Sequence, residues 1–434
     1  MSGDTPRPAA MNDPTQTPPK SPVADRASAG LGSRFETLRE TYRQGLLADV
    51  IPFWTRYGVD RDQGGFLSCL DRDGTVVDFD KGIWQQGRFA WLFGELYNTV
   101  RADPEWLTLC RHGIEFLDRH AFDPADGRMW FHVARDGTPI RKRRYAFSEA
   151  FAALAYGEYA QATGDAAYAE KAERLALRFL RHESSGDYRP KFTDRRPTRG
   201  IGVPMIAIHL CQELRESISL RGANERIDES IDTIRRLFLK PELRCVMETV
   251  GPEGQVLDHF DTRTLNPGHA IEGAWFILEE GRYRRDGSLI EMGCRMLRWM
   301  WDRGWDRGHG GIYSLRDVFA KPVQEYWHDM KFWWPHNETV IATLLAYELT
   351  GDGRYREMHG QVHDWAYRHF PDPEHGEWFG YLHRDGSRSS DLKGNLWKGM
   401  YHLPRMQLVC WRILDRLGSQ SLSEKGSDPL WISS

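Results

Sequence analysis

Asp306-Arg-Gly-His-Gly-Gly-Ile-Tyr313 nearly repeats three other stretches of this chain: Asp60-Arg-Asp-Gln-Gly-Gly-Phe66, Asp123-Pro-Ala-Asp-Gly-Arg-Met-Trp-Phe131 and Asp372-Pro-Glu-His-Gly-Glu-Trp-Phe379. Three of the four lead into a second turn, Arg72-Asp-Gly74, Arg135-Asp-Gly137 or Arg384-Asp-Gly386. Each copy therefore reads as a turn, an extended aromatic segment and a further Asp-Gly turn. Gly65, Gly127, Gly311 and Gly376 mark a period of about 62 residues, and a fixed period is the mark of a repeated supersecondary unit. Degenerate copies near Ser185-Gly-Asp-Tyr188 and Val250-Gly-Pro-Glu-Gly254 fill the wide central gap and bring the count to six.

Between the turns, apolar residues recur at three- and four-residue spacing. The helical stretches are 35–57, 84–100, 104–120, 146–163, 165–182, 203–220, 224–240, 268–282, 286–303, 336–350, 352–370 and 399–417. Links such as Thr163-Gly164-Asp165 and Thr350-Gly351-Asp352 suit a C-cap followed at once by an N-cap. Six antiparallel helical hairpins closing on themselves predict an all-α fold, an (α/α)6 barrel with short β-hairpin loops gathered at one end. That catalytic domain is expected over 34–418, with a disordered tail at 1–33, rich in Pro and Ser, and a flexible tail at 419–434.

Composition narrows the function. The chain has 434 residues, with 58 Lys and Arg against 62 Asp and Glu, a formal charge of −4. Nothing in that balance suggests a nucleic-acid partner. No apolar run approaches the ~20 residues that span a bilayer. The six cysteines are dispersed without a C-x-x-C pair and read as reduced, which suits a cytoplasmic protein. No phosphate-cradling glycine loop or G-x-S-x-G elbow occurs.

Four segments carry residues suited to chemistry. Trp84-Gln-Gln-Gly-Arg88 opens a helix and sets an arginine beside an indole. Asn266-Pro-Gly-His269-Ala-Ile-Glu272 places His269 in a first helical turn, with Glu272 at i+3 as its expected orienting carboxylate. Lys331-Phe-Trp-Trp-Pro-His336-Asn-Glu338 sets Trp333 and Trp334 beside a carboxylate, as a sugar subsite would. Lys398-Gly-Met-Tyr-His402-Leu-Pro-Arg405 brings a third histidine to the start of the last helix. No H-E-x-x-H or third metal ligand at a usual spacing is present, so no metal is expected.

At these segments the sequence resembles the N-acylglucosamine 2-epimerase (renin-binding protein) family, from about Phe35 to Leu417. Phe147-Ser-Glu149, Val203-Pro-Met205 and Gly376-Glu-Trp-Phe-Gly-Tyr381 extend the resemblance. It implies an (α/α)6 barrel and a sugar 2-epimerase that interconverts N-acetyl-D-glucosamine and N-acetyl-D-mannosamine by two-base proton transfer at C2. His269 and His402 match the family's bases, His269 acting on the gluco and His402 on the manno epimer. Arg88 matches a residue that steadies the enolate oxygen, Glu338 an active-site acid and Glu272 an orienting carboxylate. Trp84, Trp333, Trp334, His336, Trp378 and Lys398 are expected to bind the sugar. Met400 stands where mammalian members have cysteine. The family also includes cellobiose 2-epimerases and mannose isomerases, so a plain hexose, cellobiose or a ketose product is the alternative. The former have Gln-Ala-Glu where this chain has Pro-His336-Asn-Glu338. More remote alternatives are an inverting glycoside hydrolase and a non-enzymatic binding protein. No cofactor is required. ATP as an allosteric activator, meeting the basic stretch 185–200, and a homodimer are further expectations of the resemblance.

Overall fold

The computed structural model describes residues 22–143, 145–181 and 195–423. Its helices are α1 (Pro22–Gln44), α2 (Ile51–Tyr57), α3 (Ile83–Thr99), α4 (Pro104–His120), α5 (Phe147–Thr163), α6 (Ala166–Leu180) and α7 (Gly202–Ile218). They continue with α8 (Ala223–Thr233), the single-turn α9 (Phe260–Arg263), α10 (Pro267–Arg284), α11 (Gly287–Gly304), α12 (Trp333–Thr350), α13 (Gly353–His369) and α14 (His402–Ser423). All twelve helical stretches expected from periodicity are present. The first is longer than expected, since α1 begins within the stretch assigned to the tail, and α14 continues past 418. Pro52 cannot donate to the carbonyl four residues back, and the helix widens to a π-helix over Gly45–Val50 before it. Gly45 belongs there for a second reason: a Cβ would lie 2.5 Å from Gln407 Nε2 on α14.

Two kinds of helix alternate along the chain. The helices α3, α5, α7, α10 and α12 are buried on every side, as α5 is continuously from Ser148 to Ala160. The others bury one stripe, as α6 buries Ala172, Leu175, Ala176 and Phe179. The first kind, joined by α14, packs in the order α3–α5–α7–α10–α12–α14 and forms the inner ring. Arg412 Nη1 on α14 donates to Glu95 Oε1 on α3 at 2.7 Å and closes it. The outer helices α4, α6, α8, α11 and α13 each pack on the inner helix preceding them, whereas α1 packs on α14. The sixth hairpin thus joins the two ends of the chain. Gly164 and Gly351 end inner helices at left-handed φ of 71° and 66°. The Asp165 and Asp352 carboxylates then cap the next outer helices, accepting from Ala167 N–H and Arg354 N–H at 2.9 and 3.0 Å.

The repeated turns share one hydrogen-bond pattern. Asp60, Asp123, Asp306 and Asp372 donate their N–H to the residue five positions on, and accept from the glycine N–H four positions on. The second turns share another: Gly74, Gly137 and Gly386 donate to the carbonyl three residues back. Gly254 follows this second pattern, donating to Gly251, so Val250–Gly254 is not a copy of the first turn. The first turn of that unit is Lys240–Cys245, where Lys240 and a left-handed Arg244 (φ 47°) replace the Asp and Gly. Ser185–Tyr188 lies outside the described residues.

Three of the repeated aspartates also lock the ring. Asp60, Asp306 and Asp372 receive the buried ammonium groups of Lys81, Lys331 and Lys393 at 2.9, 3.1 and 2.9 Å. Each also receives a guanidinium from the second turn of the following unit. Arg135 reaches Asp60, Arg384 reaches Asp306, and Arg72 of the first unit reaches Asp372 of the last. Burial pushes these carboxyls up, but the guanidinium and ammonium groups outweigh it and hold all three well below the usual range. A depressed carboxylate stabilises the fold above its unfolded pKa near ~4, and that stability drains as pH falls toward the folded value. Acid unfolding should therefore set in below about pH 4. Asp372→Asn leaves Lys393 buried and unpaired and should cost on the order of 3 kcal/mol at pH 7, with a smaller difference from wild type at pH 3. Denaturant melts at both pH values check this. Equal losses at the two would remove the ion pair as the cause.

Candidate functional site

The inner helices start at the hairpin end and carry lumen-facing residues at three- and four-residue spacing. His269 lies in the first turn of α10, behind the N-cap Asn266, whose Oδ1 accepts from the His269 N–H at 3.2 Å. Its Nδ1 lies 3.0 and 3.1 Å from the two oxygens of Glu248. His402 starts α14, with Nδ1 2.7 Å from Glu338 Oε1. Trp334 lies against both imidazoles, with ring centroids at 4.9 Å from His269 and 5.7 Å from His402. Among the described residues no protein group bonds either Nε2.

One layer deeper, Arg405 ties the carboxylates together. Its Nη2 donates to Glu272 Oε1 at 2.5 Å and to Glu338 Oε1 at 2.7 Å, and its Nη1 donates to Tyr401 Oη at 2.9 Å. Trp275 Nε1 donates to Glu338 Oε2 at 2.7 Å. Glu272, Glu338 and His402 converge closely enough for a cation, but the Arg405 guanidinium already bridges the two carboxylates. Arg88 sits above this layer with its guanidinium 4.1 Å from the Trp84 and Phe151 rings and 4.4 Å from Tyr401.

The surroundings split the two histidines. Burial lowers His269, but the Glu248 carboxylate outweighs it and raises the imidazole above its ordinary value. Burial pushes His402 well below, assisted by the positive charges of Arg405, Arg88 and His269 against Glu272. The surroundings thus make His269 the readier proton donor of the pair and His402 the readier acceptor.

Several expectations need correction. Glu248, not Glu272, is the carboxylate on His269; Glu272 belongs to Arg405. His336 is fully buried and faces away from the lumen. It lies two residues from both Trp334 and Glu338, and two residues are about 200° around a helix. Its Nε2 accepts from Ile312 N–H at 2.8 Å and its Nδ1 donates to the Phe332 carbonyl at 2.6 Å, so burial lowers it to about 3. Gln86 and Glu149 perform the same task in their units, accepting from Phe66 N–H and Met129 N–H at 2.7 and 3.0 Å. Lys398 is also buried, donating to Glu377 Oε1 at 2.9 Å and to the Lys393 carbonyl at 2.6 Å. Trp378 stacks on Phe370 at 5.6 Å in the core, and Trp333 is buried. Of the expected sugar-binding residues, Trp84 and Trp334 remain half-exposed beside the histidines and Arg88.

Glu248, Arg405 and Trp275 complete the site beyond the residues singled out from sequence. Glu248 follows Met247, whose N–H donates to the Phe238 carbonyl as Leu67, Tyr313 and Phe379 donate in their units. Aligning the units by that bond would have found it at the position of Ser68, Ser314 and Gly380. Most of the basic stretch proposed to meet ATP, Ser185–Asp194, lies outside the described residues. A recess of about 500 Å³ lined in part by His309, Asp329, His383 and Asp385 shares no residue with the histidine site.

Residues 64–405 match the model of the family described as N-acylglucosamine 2-epimerase (GlcNAc 2-epimerase). The chain is 35% identical over 380 residues to the N-acylglucosamine 2-epimerase of Bos taurus, covering 86% of this chain and 90% of that protein. A cellobiose 2-epimerase of Bacteroides fragilis is 23% identical over 408 residues, covering 86% and 98%. Among solved structures, the cellobiose 2-epimerase of Bacillus thermoamylovorans superposes with a TM-score of 0.76 at 19% identity, over 88% of this chain and all of that one. That last likeness speaks for the barrel alone.

Proposed function

Because the chain belongs to the N-acylglucosamine 2-epimerase family, we propose that it interconverts N-acetyl-D-glucosamine and N-acetyl-D-mannosamine by two-base proton transfer at C2 of the ring-opened sugar. The observation that carries this reading is the pair of imidazoles, each held at Nδ1 by its own carboxylate and both set against Trp334. In the open chain, C1 is an aldehyde and the C2 proton becomes acidic. One imidazole removes it through Nε2 while the other delivers a proton to the opposite face. Charge gathers on O1 in between, and Arg88 is the cation placed to meet it. The glutamates hold Nδ1–H and so keep each Nε2 directed at the carbon. The resting arrangement favours neutral His402 as base and charged His269 as acid, the state ready for the manno epimer.

A hydrolase would need two carboxylates free to face a glycosidic bond. Glu338 is engaged at both oxygens and Glu272 is held by Arg405, so this cluster does not favour that reading. A cytoplasmic homodimer and ATP activation belong to the same family reading. Size-exclusion chromatography and assays with and without ATP test the last two.

Proton NMR of either N-acetyl sugar in D2O tests the activity. The H2 signal should disappear and both sugars should reach one equilibrium mixture. A ketose product, or no exchange, would overturn the reading. Glu248→Gln should lower kcat by on the order of 10²-fold. Losing the carboxylate also removes the upward shift of His269. The alkaline limb of the pH–rate profile should therefore move to lower pH, and an unmoved limb would detach Glu248 from His269.

A further inference from the structure

The strand Thr264–Leu265 ends at Asn266, and the carboxamide of that residue meets His269 twice. On the basis of the two-base reading above, we propose that Asn266 is a positioning residue: its amide N–H opposes the Glu248 carboxylate at His269 Nδ1 and so keeps that imidazole able to serve as a base. The helix start fixes which way the carboxamide faces. Asn266 Oδ1 accepts the backbone N–H of His269 at 3.2 Å, which turns Nδ2 toward the ring, 3.0 Å from His269 Nδ1. Glu248 Oε1 and Oε2 lie 3.0 and 3.1 Å from the same nitrogen. A carboxylate only accepts, and an amide NH2 only donates. Nδ1 therefore has a partner in either state. It donates to Glu248 when it carries a proton and accepts from Asn266 when it does not. Among the described residues Asn266 Nδ2 makes no other bond.

Two further features single this residue out. Of the inner helices α3, α5, α7, α10 and α12, α10 alone has a side-chain N-cap among the described residues; Gly82, Ala146, Ile201 and Phe332 make no such bond at the other starts. Four inner helices thus stand on packing without a cap, and helix stability does not account for the one at Asn266. The same opposition recurs at the other base. His402 Nδ1 faces an acceptor, Glu338 Oε1, at 2.7 Å and a donor, Arg405 Nη2, at 3.4 Å. Hydrogens aimed at Nδ1 disfavour every state in which that nitrogen carries its own proton. Burial pushes His402 well below its ordinary value, and the cationic donor adds to it. On His269 the donor is neutral, and Glu248 outweighs burial to hold the imidazole above. Without Asn266 the carboxylate would act on Nδ1 unopposed. His269 would then hold its proton harder, at the expense of its turn as base on the gluco epimer. The other charged groups facing it are Glu272 on its own helix, Glu338 on α12 and His402 on α14.

The test is an NMR titration of the histidine Cε1–H signals in the full chain, joined to the pH–rate profile. The two signals are identified by their loss in His269→Asn and His402→Asn. Asn, Ser, Thr and Asp all cap helices well, so Asn266→Ser keeps the helix start while its shorter side chain withdraws the donor from Nδ1. The His269 midpoint should rise by about half a pH unit or more in that variant, with the His402 midpoint unmoved. It should rise by about one pH unit or more in Asn266→Asp, where a second carboxylate replaces the donor. The alkaline limb of epimerisation should move to higher pH in both, opposite in direction to Glu248→Gln. A purely structural cap would lower Tm or kcat and move neither the midpoint nor the limb. Should Asn266→Ser fail to fold, Asn266→Thr carries the same expectation. The proposal is overturned if the His269 midpoint stays or falls in the hydroxyl variant, or if the midpoint rises and the alkaline limb does not follow. Absence of H2 exchange by wild type would instead remove the reaction itself, and the NMR midpoints would still decide whether Asn266 opposes Glu248.

Discussion

Replacing His402 by asparagine will abolish net epimerisation, lowering turnover by on the order of 10³-fold or more, yet leave one half-reaction intact. His269 keeps its Glu248 partner and its place beside Trp334 in that variant. It can still remove and return a proton on its own face of C2, so one epimer should exchange C2–H for deuterium in D2O without inverting. On the family assignment that epimer is the gluco sugar. His269→Asn should show the converse, with the manno sugar exchanging. The split environment sharpens the expectation: His402 rests neutral and is ready to accept a proton, whereas His269 must first lose one. Exchange by His269→Asn should therefore persist to lower pH than exchange by His402→Asn. An isomerase would shuttle one proton between C1 and C2 on a single face. It would make a ketose and would need only one of the two imidazoles. Equal exchange of both epimers by either variant would sink the two-base assignment.

The two histidines were legible because each opens an inner helix, and the repeat told which end of the barrel those helix starts share. The same cue misled at His336. A helix start fixes the end but not the face, and Trp334 and Glu338 already claim the lumenal side of α12. Counting turns from Glu338 would have turned His336 outward, onto the task that Gln86 and Glu149 perform elsewhere. Glu272 was read one layer too high. Three residues advance a helix by about 4.5 Å, which carries Glu272 down to the level of Arg405, itself three residues beyond His402. Glu248 was hidden for another reason. Its unit replaces the Asp and Gly of the first turn by Lys240 and a left-handed Arg244, so the repeat went unrecognised there and the lumenal position of its strand with it. The pairing of α1 with α14 was equally hidden, because periodicity shows that helices exist but not that the two ends of the chain meet. Lys398 and Trp378 lie in two motifs of aromatic and charged residues that look like a sugar surface. In the fold the two meet at Glu377, which receives the Lys398 ammonium and is a buried residue at φ 56° where two other units have glycine.

Arg88→Lys should reduce kcat by on the order of tenfold to a thousandfold, although the charge is kept. The Arg88 side chain is buried in a sandwich of Trp84, Phe151 and Tyr401, and no ion pair to it occurs among the described residues. Burial lowers its pKa to about 10 despite the fields of Tyr401, Glu272 and Glu338. Removing a guanidinium from water without a paired carboxylate costs several kcal/mol, so a purely structural role would be better served by an apolar residue. A developing oxyanion repays that cost only when substrate is present, which is how a preorganised charge favours the transition state over the ground state. Lysine cannot lie flat between the rings or offer a planar fork of donors, and its ammonium would lose its proton more readily in the same burial. The loss should fall mainly on kcat, with KM changing little. Arg88→Met separates the two roles. It should melt at or above the wild-type temperature, because it removes an unpaired buried charge, and it should have no measurable turnover. A methionine variant that melts lower while retaining activity, or a lysine variant with wild-type kcat, would move Arg88 out of the reacting centre.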